Sequence, residues 1–187
     1  MTDFSCRDIA RMIDHALLAP TLTADELQAG CEVALQHQVA SVCTMPFHLS
    51  QCAQALAGSS VCASTTIGFP HGVQTTSIKR AEAEQALLDG GQELDLVINP
   101  SRALSGDWDY VRAEIAAVLE PTRAAGQKLK VIFETCYLNQ QQKIKLCQIG
   151  NELQVDWIKT STGFASAGAT VDDVKLMASQ ATGRVEV

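Results

Sequence analysis

The side chain best placed for chemistry is Lys159, which stands near the end of a short, β-prone stretch of mainly apolar residues. Small hydroxyl residues and Gly163 follow it directly, as expected where a strand runs into a loop. Catalytic side chains of α/β barrels stand at such strand ends. Because desolvation disfavours the charged form of an amine, a lysine in apolar surroundings becomes available as a nucleophile. The alternative is a lysine that extends to water and takes no part in catalysis.

Two further strand-like segments carry charged residues among apolar ones. Asp95 lies inside one of them, and Lys130 lies inside the next, on the same strand face as Glu134. If these faces line the interior of a barrel, we expect Asp95, Lys130 and Lys159 to meet there. Asp14, in the first strand-like segment, would approach them from the far side of a closed barrel.

This cluster contains the groups that imine chemistry on a carbonyl substrate requires. A second cation favours the neutral form of a nucleophilic lysine, and an adjacent carboxylate can accept and return protons. Charged groups buried this deeply are rare unless they are paired or functional. The alternative interpretation is a structural network of aspartate and lysine that fills the barrel, because such networks also perturb titration.

Strand-like and helix-like patterns alternate along the whole chain. The predicted strands are residues 11–18, 39–45, 61–69, 94–99, 129–135 and 155–160. A capping box of Thr23 and Glu26 predicts the start of the first long helix between them. Ser77 is predicted to open a helix that runs to Leu88 and ends at Gly90 or Gly91. Asp107 and Asn139 are predicted to cap the next two helices. Thr170, with Asp173 three residues later, begins the last helix, in which Val174 and Met177 are expected to face inward.

Regular alternation predicts an α/β fold with parallel strands and right-handed crossovers, in a single domain spanning residues 1–187. Both a doubly wound open sheet and a TIM (β/α)8-type barrel fit this pattern. The chain has no G-x-G-x-x-G or Walker-type loop, which disfavours a nucleotide-binding open sheet. Polar residues inside several strands favour the barrel. Six full strands are predicted, and the tail 184–187 resembles the beginning of a seventh.

Composition excludes several classes of function. A formal net charge of −7 and the lack of a Lys/Arg cluster argue against a nucleic-acid partner. No apolar run approaches the ~20 residues of a membrane helix, and residues 1–6 show no secretory signal. Seven cysteines, an odd number without a C-x-x-C pair, indicate free thiols in a reducing cytoplasm. The four histidines lack metal-ligand spacing, so no metal is expected.

Taken together and in order, the motifs of this chain resemble those of the deoxyribose-phosphate aldolase family. They are MIDH (12–15), LLAP (17–20), SVC (41–43) before Pro46, TIGFPHG (66–72), ELDLVIN (93–99), LKVIFETC (129–136) and IKTSTGF (158–164). The resemblance implies a TIM barrel that cleaves 2-deoxy-D-ribose 5-phosphate to acetaldehyde and D-glyceraldehyde 3-phosphate. That reaction proceeds through a lysine Schiff base, without a metal or another cofactor, in deoxyribonucleoside catabolism.

The resemblance also implies roles for single residues. Lys159 matches the Schiff-base lysine, and Asp95 matches the carboxylate of the proton relay. The matching supporting residues of the substrate site are Asp14, Lys130, Cys43 and Leu18. One position departs from the family pattern, since Ala16 stands where the family usually has threonine, which removes a hydroxyl from the pocket.

In the family, the seventh strand carries a second lysine and a Gly-Gly phosphate loop, and the eighth strand adds a phosphate contact. The sequence ends at Val187, so the resemblance implies a C-terminally truncated barrel. Open edges at the first and sixth strands predict a poorly soluble or homo-oligomeric chain. Without the second lysine and the phosphate loops, we expect the chain to be inactive on the phosphorylated sugar. The alternative function is therefore a truncated, catalytically inactive remnant. Another lysine-dependent barrel, such as a transaldolase, is disfavoured by the motifs.

Overall fold

The computed structural model describes residues 4–187. Residues 1–3 belong to the segment 1–6, in which no secretory signal is predicted, and they lie outside the described range. Strands and helices alternate through this range. The strands are β1 Asp14–Leu17, β2 Ser41–Thr44, β3 Cys62–Ile67, β4 Glu93–Val97, β5 Lys128–Ile132 and β6 Trp157–Lys159. The helices are α1 Cys6–Ala10, α2 Ala24–His37, α3 Leu49–Ala55, α4 Thr76–Leu88, α5 Pro100–Leu104, α6 Trp108–Ala124, α7 Gln140–Leu153 and α8 Val171–Gln180.

Each predicted strand is confirmed, although each is shorter than the sequence pattern suggests. The largest difference is at the first strand, which begins at Asp14 rather than at Arg11. The short helix α1 precedes it, because Ser5 and Asp8 form a capping box that the sequence reading missed. Exposed turn residues, Arg11 and Met12, separate this helix from the strand.

Among residues 4–187, six strands form one sheet in chain order from β1 to β6. The pairs β1–β2, β2–β3 and β5–β6 are parallel, as β-α alternation predicts. The β5–β6 register places Lys130 opposite Trp157 and Ile132 opposite Lys159. The predicted strand-like tail is present as an isolated parallel bridge between Trp157 and Glu186, which continues the sheet beyond β6.

The predicted helix caps Thr23, Asp107, Asn139 and Thr170 are confirmed. Thr23 Oγ1 accepts from Glu26 N at 3.3 Å and Glu26 accepts from Thr23 N at 2.8 Å, which completes the capping box at the start of α2. The side chains of the other predicted caps, Asp107, Asn139 and Thr170, accept from the third residue of their helices.

Two helix predictions need correction. Helix α4 begins at Thr76, one residue before the predicted Ser77. In α8, Met177 is fully buried as predicted, but Val174 is 42% exposed. The prediction was wrong for Val174 because α8 buries a single position, Met177, among its described residues, rather than a broad stripe.

The described part of Met1–Thr66 forms one compact unit together with Gln85–Glu93, and Ile67–Glu84 forms a second with Leu94–Val187. The single-domain assignment of 1–187 stays a prediction. The core of the first unit includes Leu27, Cys31, Ala34, Val42, Leu49 and Cys52. The core of the second includes Leu96, Ile115, Val118, Leu129, Phe133, Leu146 and Ile158.

No disulfide bond links the cysteines among residues 4–187. Cys31 and Cys52 approach each other with 3.9 Å between their Sγ atoms, far beyond the ~2.05 Å of a disulfide bond. Within residues 4–187, no helix combines the length and the apolar character that a membrane span requires.

Candidate active site

The structure brings Asp95, Lys130 and Lys159 together in the second unit. Lys130 Nζ donates to Asp95 Oδ1 at 3.0 Å, and Lys159 Nζ donates to Asp95 Oδ2 at 3.1 Å. One carboxylate is therefore shared between two ammonium groups, and the three ionised groups carry a net charge of +1. This is the contact that the alternation of side chains along the strands predicts.

Strand geometry explains why these three side chains meet. Every residue of β4 is buried, so a carboxylate at Asp95 can remain charged only beside cations. The neighbouring strand supplies Lys130, whose Nζ lies over the face of Trp157, 5.3 Å from the ring centroid. Lys128 Nζ lies 4.6 Å from the same centroid, and the indole Nε1 donates to Glu186 Oε2 at 3.1 Å. The aromatic face attracts the lysine cations and holds them along β5.

Exposure distinguishes the members of this cluster. The Asp95 side chain is 1% exposed and that of Lys130 is 10% exposed, whereas Lys159 retains 32% of its side-chain surface. The carboxylate is thus desolvated, which strengthens its electrostatic interactions. The amine of Lys159 remains open to an entering carbonyl compound. The arrangement therefore combines an accessible amine with a fixed proton acceptor.

Glu134 is a site residue that the sequence reading did not single out. Its carboxylate accepts from the backbone N–H of Thr162 at 3.2 and 3.3 Å and from the Thr162 hydroxyl. Thr162 Oγ1 in turn accepts from Phe164 N at 3.0 Å. Backbone bonds from Phe133 N to Lys159 O and from Thr135 N to Thr160 O continue this pairing. The chain directly after Lys159 is thereby held against the end of β5.

Replacing Glu134 with glutamine is expected to lower the free energy of unfolding by about 1–3 kcal/mol, because one amide oxygen cannot replace both carboxylate oxygens at Thr162. Urea denaturation measures the loss. The matched control is Glu84→Gln, which breaks an exposed pair with Arg80 and should cost at most about 1 kcal/mol. Equal losses in the two variants would contradict this role for Glu134.

A short loop after β3 closes over the same end of the second unit. Gly68 and Gly72 both have positive φ, 66° and 67°, and a Cβ at Gly72 would lie 1.9 Å from the carbonyl oxygen of Ile98. Phe69 of this loop contacts Phe164 edge to face, with ring centroids 5.2 Å apart. The loop therefore touches both the end of β4 and the segment that follows Lys159.

The remaining sequence-predicted site residues, Asp14, Cys43 and Leu18, lie in the first unit. Asp14 Oδ1 accepts from Ser41 Oγ at 2.8 Å. Cys43 is buried in β2, and Leu18 is half-buried directly after β1. The departure from the family pattern, Ala16, is exposed within β1. Substrate-binding roles for these residues stay predictions.

Comparison with known sequences gives a consistent family. The sequence model described as DeoC/LacD family aldolase matches residues 9–186. A deoxyribose-phosphate aldolase of Rhodopirellula baltica is 57% identical over 187 residues, covering 100% of this chain and 78% of that protein. The deoxyribose-phosphate aldolase of Caldanaerobacter subterraneus subsp. tengcongensis is 44% identical over 174 residues, covering 92% of this chain and 75% of that protein.

Solved structures give the same result for the fold. A crystal structure described as a putative deoxyribose-phosphate aldolase from Coccidioides immitis superposes with a TM-score of 0.92 at 32% identity, covering 97% of this chain and 72% of that one. The tetrameric deoxyribose phosphate aldolase of Aeropyrum pernix gives a TM-score of 0.87 at 26% identity, covering 95% and 74%. These similarities confirm the predicted TIM-barrel-type α/β fold class, of which the described residues contain six strands.

Proposed function

Because this chain belongs to the deoxyribose-phosphate aldolases of the DeoC/LacD family, class I aldehyde-lyases, we propose that Lys159 forms the Schiff base with the substrate aldehyde. The substrate is 2-deoxy-D-ribose 5-phosphate, and the products are acetaldehyde and D-glyceraldehyde 3-phosphate. The observation that carries the proposal is the shared carboxylate of Asp95, which contacts both Lys159 and Lys130.

The proposed reaction begins when the neutral amine of Lys159 adds to C1 of the open-chain sugar. Loss of water then leaves a protonated imine. The C3 hydroxyl gives up its proton, the C2–C3 bond breaks, and its electron pair moves toward the imine nitrogen. Glyceraldehyde 3-phosphate leaves, and an enamine remains on Lys159. Protonation of the enamine carbon and addition of water release acetaldehyde and restore the free amine.

Asp95 and Lys130 support these steps in different ways. The Asp95 carboxylate, directly or through an ordered water, accepts protons and returns them as the imine and enamine interconvert. Lys130 holds the other oxygen of that carboxylate at 3.0 Å.

Reductive trapping tests the proposal without requiring the whole cycle. The chain is incubated with acetaldehyde and borohydride, which converts an imine into a stable ethylated lysine that peptide mass spectrometry locates. Release of glyceraldehyde 3-phosphate from the deoxysugar phosphate is measured on the same sample. Labelling of Lys159 together with release supports the proposal, and labelling of another lysine contradicts it.

The two readouts of this test also separate imine formation from cleavage. The chain spans 78% of the length of the Rhodopirellula baltica protein. A folded chain that neither becomes labelled nor releases product would contradict the proposal. Labelling of Lys159 without product release would retain the imine assignment and exclude cleavage by this chain.

Location and assembly are further parts of the proposal. The odd number of cysteines, without a C-x-x-C pair, suits a reducing compartment, which supports the cytoplasm. The tetramer of the Aeropyrum pernix relative supports self-association, which light scattering on the purified chain would test. The acidic net charge of −7 argues against a nucleic-acid partner.

A further inference from the structure

Lys79 of α4 and Glu114 of α6 form an ion pair that is fully buried. Lys79 Nζ lies 2.7 Å from Glu114 Oε1, and both side chains are 0% exposed. Burial lowers the pKa of Lys79 and raises the pKa of Glu114, while their mutual attraction opposes both shifts. Replacing such a pair with apolar side chains of similar volume is often neutral or stabilising. Fold stability alone therefore gives no reason for a charged pair here.

Backbone contacts show what the charged pair does that apolar side chains could not do. Lys79 Nζ also donates to the carbonyl oxygens of Gly72 and Val97, each at 2.8 Å. The second carboxylate oxygen of Glu114 accepts from the backbone N–H of Asn99 at 2.8 Å. The three protons of the ammonium group thus all have acceptors. The pair binds the loop after β3 and the end of β4 to each other.

Packing around the lysine stem agrees with this role. A Cβ at Gly68 would lie 2.7 Å from Lys79 Cε, so the stem occupies the space beside this glycine. The Gly68 N–H donates to Glu82 Oε2 at 2.6 Å, which adds a second anchor from α4 to the same loop. The loop from Gly68 to Gly72 is therefore held on α4, and its Phe69 contacts Phe164 beyond the candidate nucleophile.

We propose that the Lys79–Glu114 pair is a positioning pair for proton transfer by Asp95. It holds Val97, two residues after Asp95 at the end of β4, and Asn99, which lies just beyond the strand. It thereby fixes the Asp95 carboxylate between Lys130 and Lys159. This inference rests on the proposed function of Lys159 and Asp95. It assigns the pair a role in the C–H proton-transfer step rather than in formation of the imine.

The test compares two reactions of the same chain with acetaldehyde. Borohydride trapping reports imine formation at Lys159, and exchange of the acetaldehyde methyl protons with deuterium oxide reports proton transfer through the enamine. The variant combines Lys79→Met with Glu114→Met, which leaves no unpaired buried charge. We expect its trapping rate to stay close to that of the unmodified chain, while its unfolding free energy falls, because the carbonyls of Gly72 and Val97 and the N–H of Asn99 lose their partners. Exchange should fall about 10²-fold, as when a catalytic group moves by about 1 Å.

The matched control is Arg80→Met, one residue further along α4, which removes exposed pairs with Glu84 and Glu120 and should change neither reaction. Unchanged exchange in the double variant would overturn the inference. So would a double variant that does not fold, or one in which trapping and exchange fall together, because the pair would then be a stability element. An unmodified chain that is not labelled at Lys159 would instead overturn the proposed function, and this inference with it.

Discussion

Replacing Lys159 with alanine is expected to abolish imine formation and any aldol cleavage while the fold keeps nearly its original stability. The amine is the proposed nucleophile, and alanine offers no replacement. The side chain is 32% exposed, so loss of its ion pair should cost about 1 kcal/mol or less. Asp95 is not left without a cation, because Lys130 still donates to it at 3.0 Å.

Borohydride trapping and urea denaturation measure these two effects of Lys159→Ala on the same preparation. Lys128→Ala is the matched control, since Lys128 is an exposed residue of β5 whose ammonium lies over Trp157. Lys159 of the Lys128→Ala control should be labelled to the same extent as in the unmodified chain. Retention of more than a trace of trapping or turnover in Lys159→Ala would refute the assignment of this lysine.

Asp95→Asn is expected to impair both catalysis and stability. An amide cannot accept a proton and return it, so loss of this general base should lower turnover and methyl-proton exchange by about 10²–10⁴-fold. The neutral amide also leaves Lys130 and Lys159 without a shared anion. Because Asp95 is 1% exposed, breaking this buried pair should cost about 3–5 kcal/mol of unfolding free energy.

Proton exchange into acetaldehyde and urea denaturation together measure the outcome for Asp95→Asn. Asp173→Asn is the control, since Asp173 also pairs with a lysine, Lys143, at 2.5 Å, but on the helices α7 and α8. The Asp173→Asn control should have a lower free energy of unfolding, but its rate of proton exchange relative to imine trapping should not change. Exchange that persists in folded Asp95→Asn would show that another group moves the proton.

The contact of Asp95 with Lys130 and Lys159 could be predicted because strands impose a period of two on side-chain direction. Residues on neighbouring parallel strands then meet if each lies on the interior face. The rule depends only on local pattern and on strand order, both of which the sequence shows. The strand ends were less predictable, because an apolar residue continues a pattern even where the backbone has left the sheet.

Glu134 shows where that rule ends. Strand β5 stops at Ile132, and Glu134 has a left-handed backbone with φ of 56°, so its side chain no longer follows the face of Lys130. It binds Thr162 instead. No residue spacing in the sequence predicts a left-handed backbone conformation at Glu134. A charged residue immediately after a predicted strand, opposite the hydroxyl-rich run behind Lys159, is the signal that could have drawn attention to it.

The burial of Lys79 is the opposite of what the amphipathic pattern of helix α4 predicts. An amphipathic pattern would bury Ile78 and expose Lys79, but Ile78 is 52% exposed and Lys79 is 0% exposed. The acceptors that make this possible are Glu114 and two backbone carbonyls, which lie elsewhere in the sequence. A buried ammonium is tolerated only when the tertiary fold supplies such partners, so helical periodicity alone cannot predict it.

Trp157 gives the candidate site a built-in optical reporter. Its indole ring faces the ammonium groups of Lys128 and Lys130, and its N–H is held by Glu186. The emission of an indole depends on the charges and hydrogen bonds around it. A change of charge or position at Lys130 during the reaction would therefore shift the fluorescence of this tryptophan, and the progress of the chemistry could be followed by light without any attached dye.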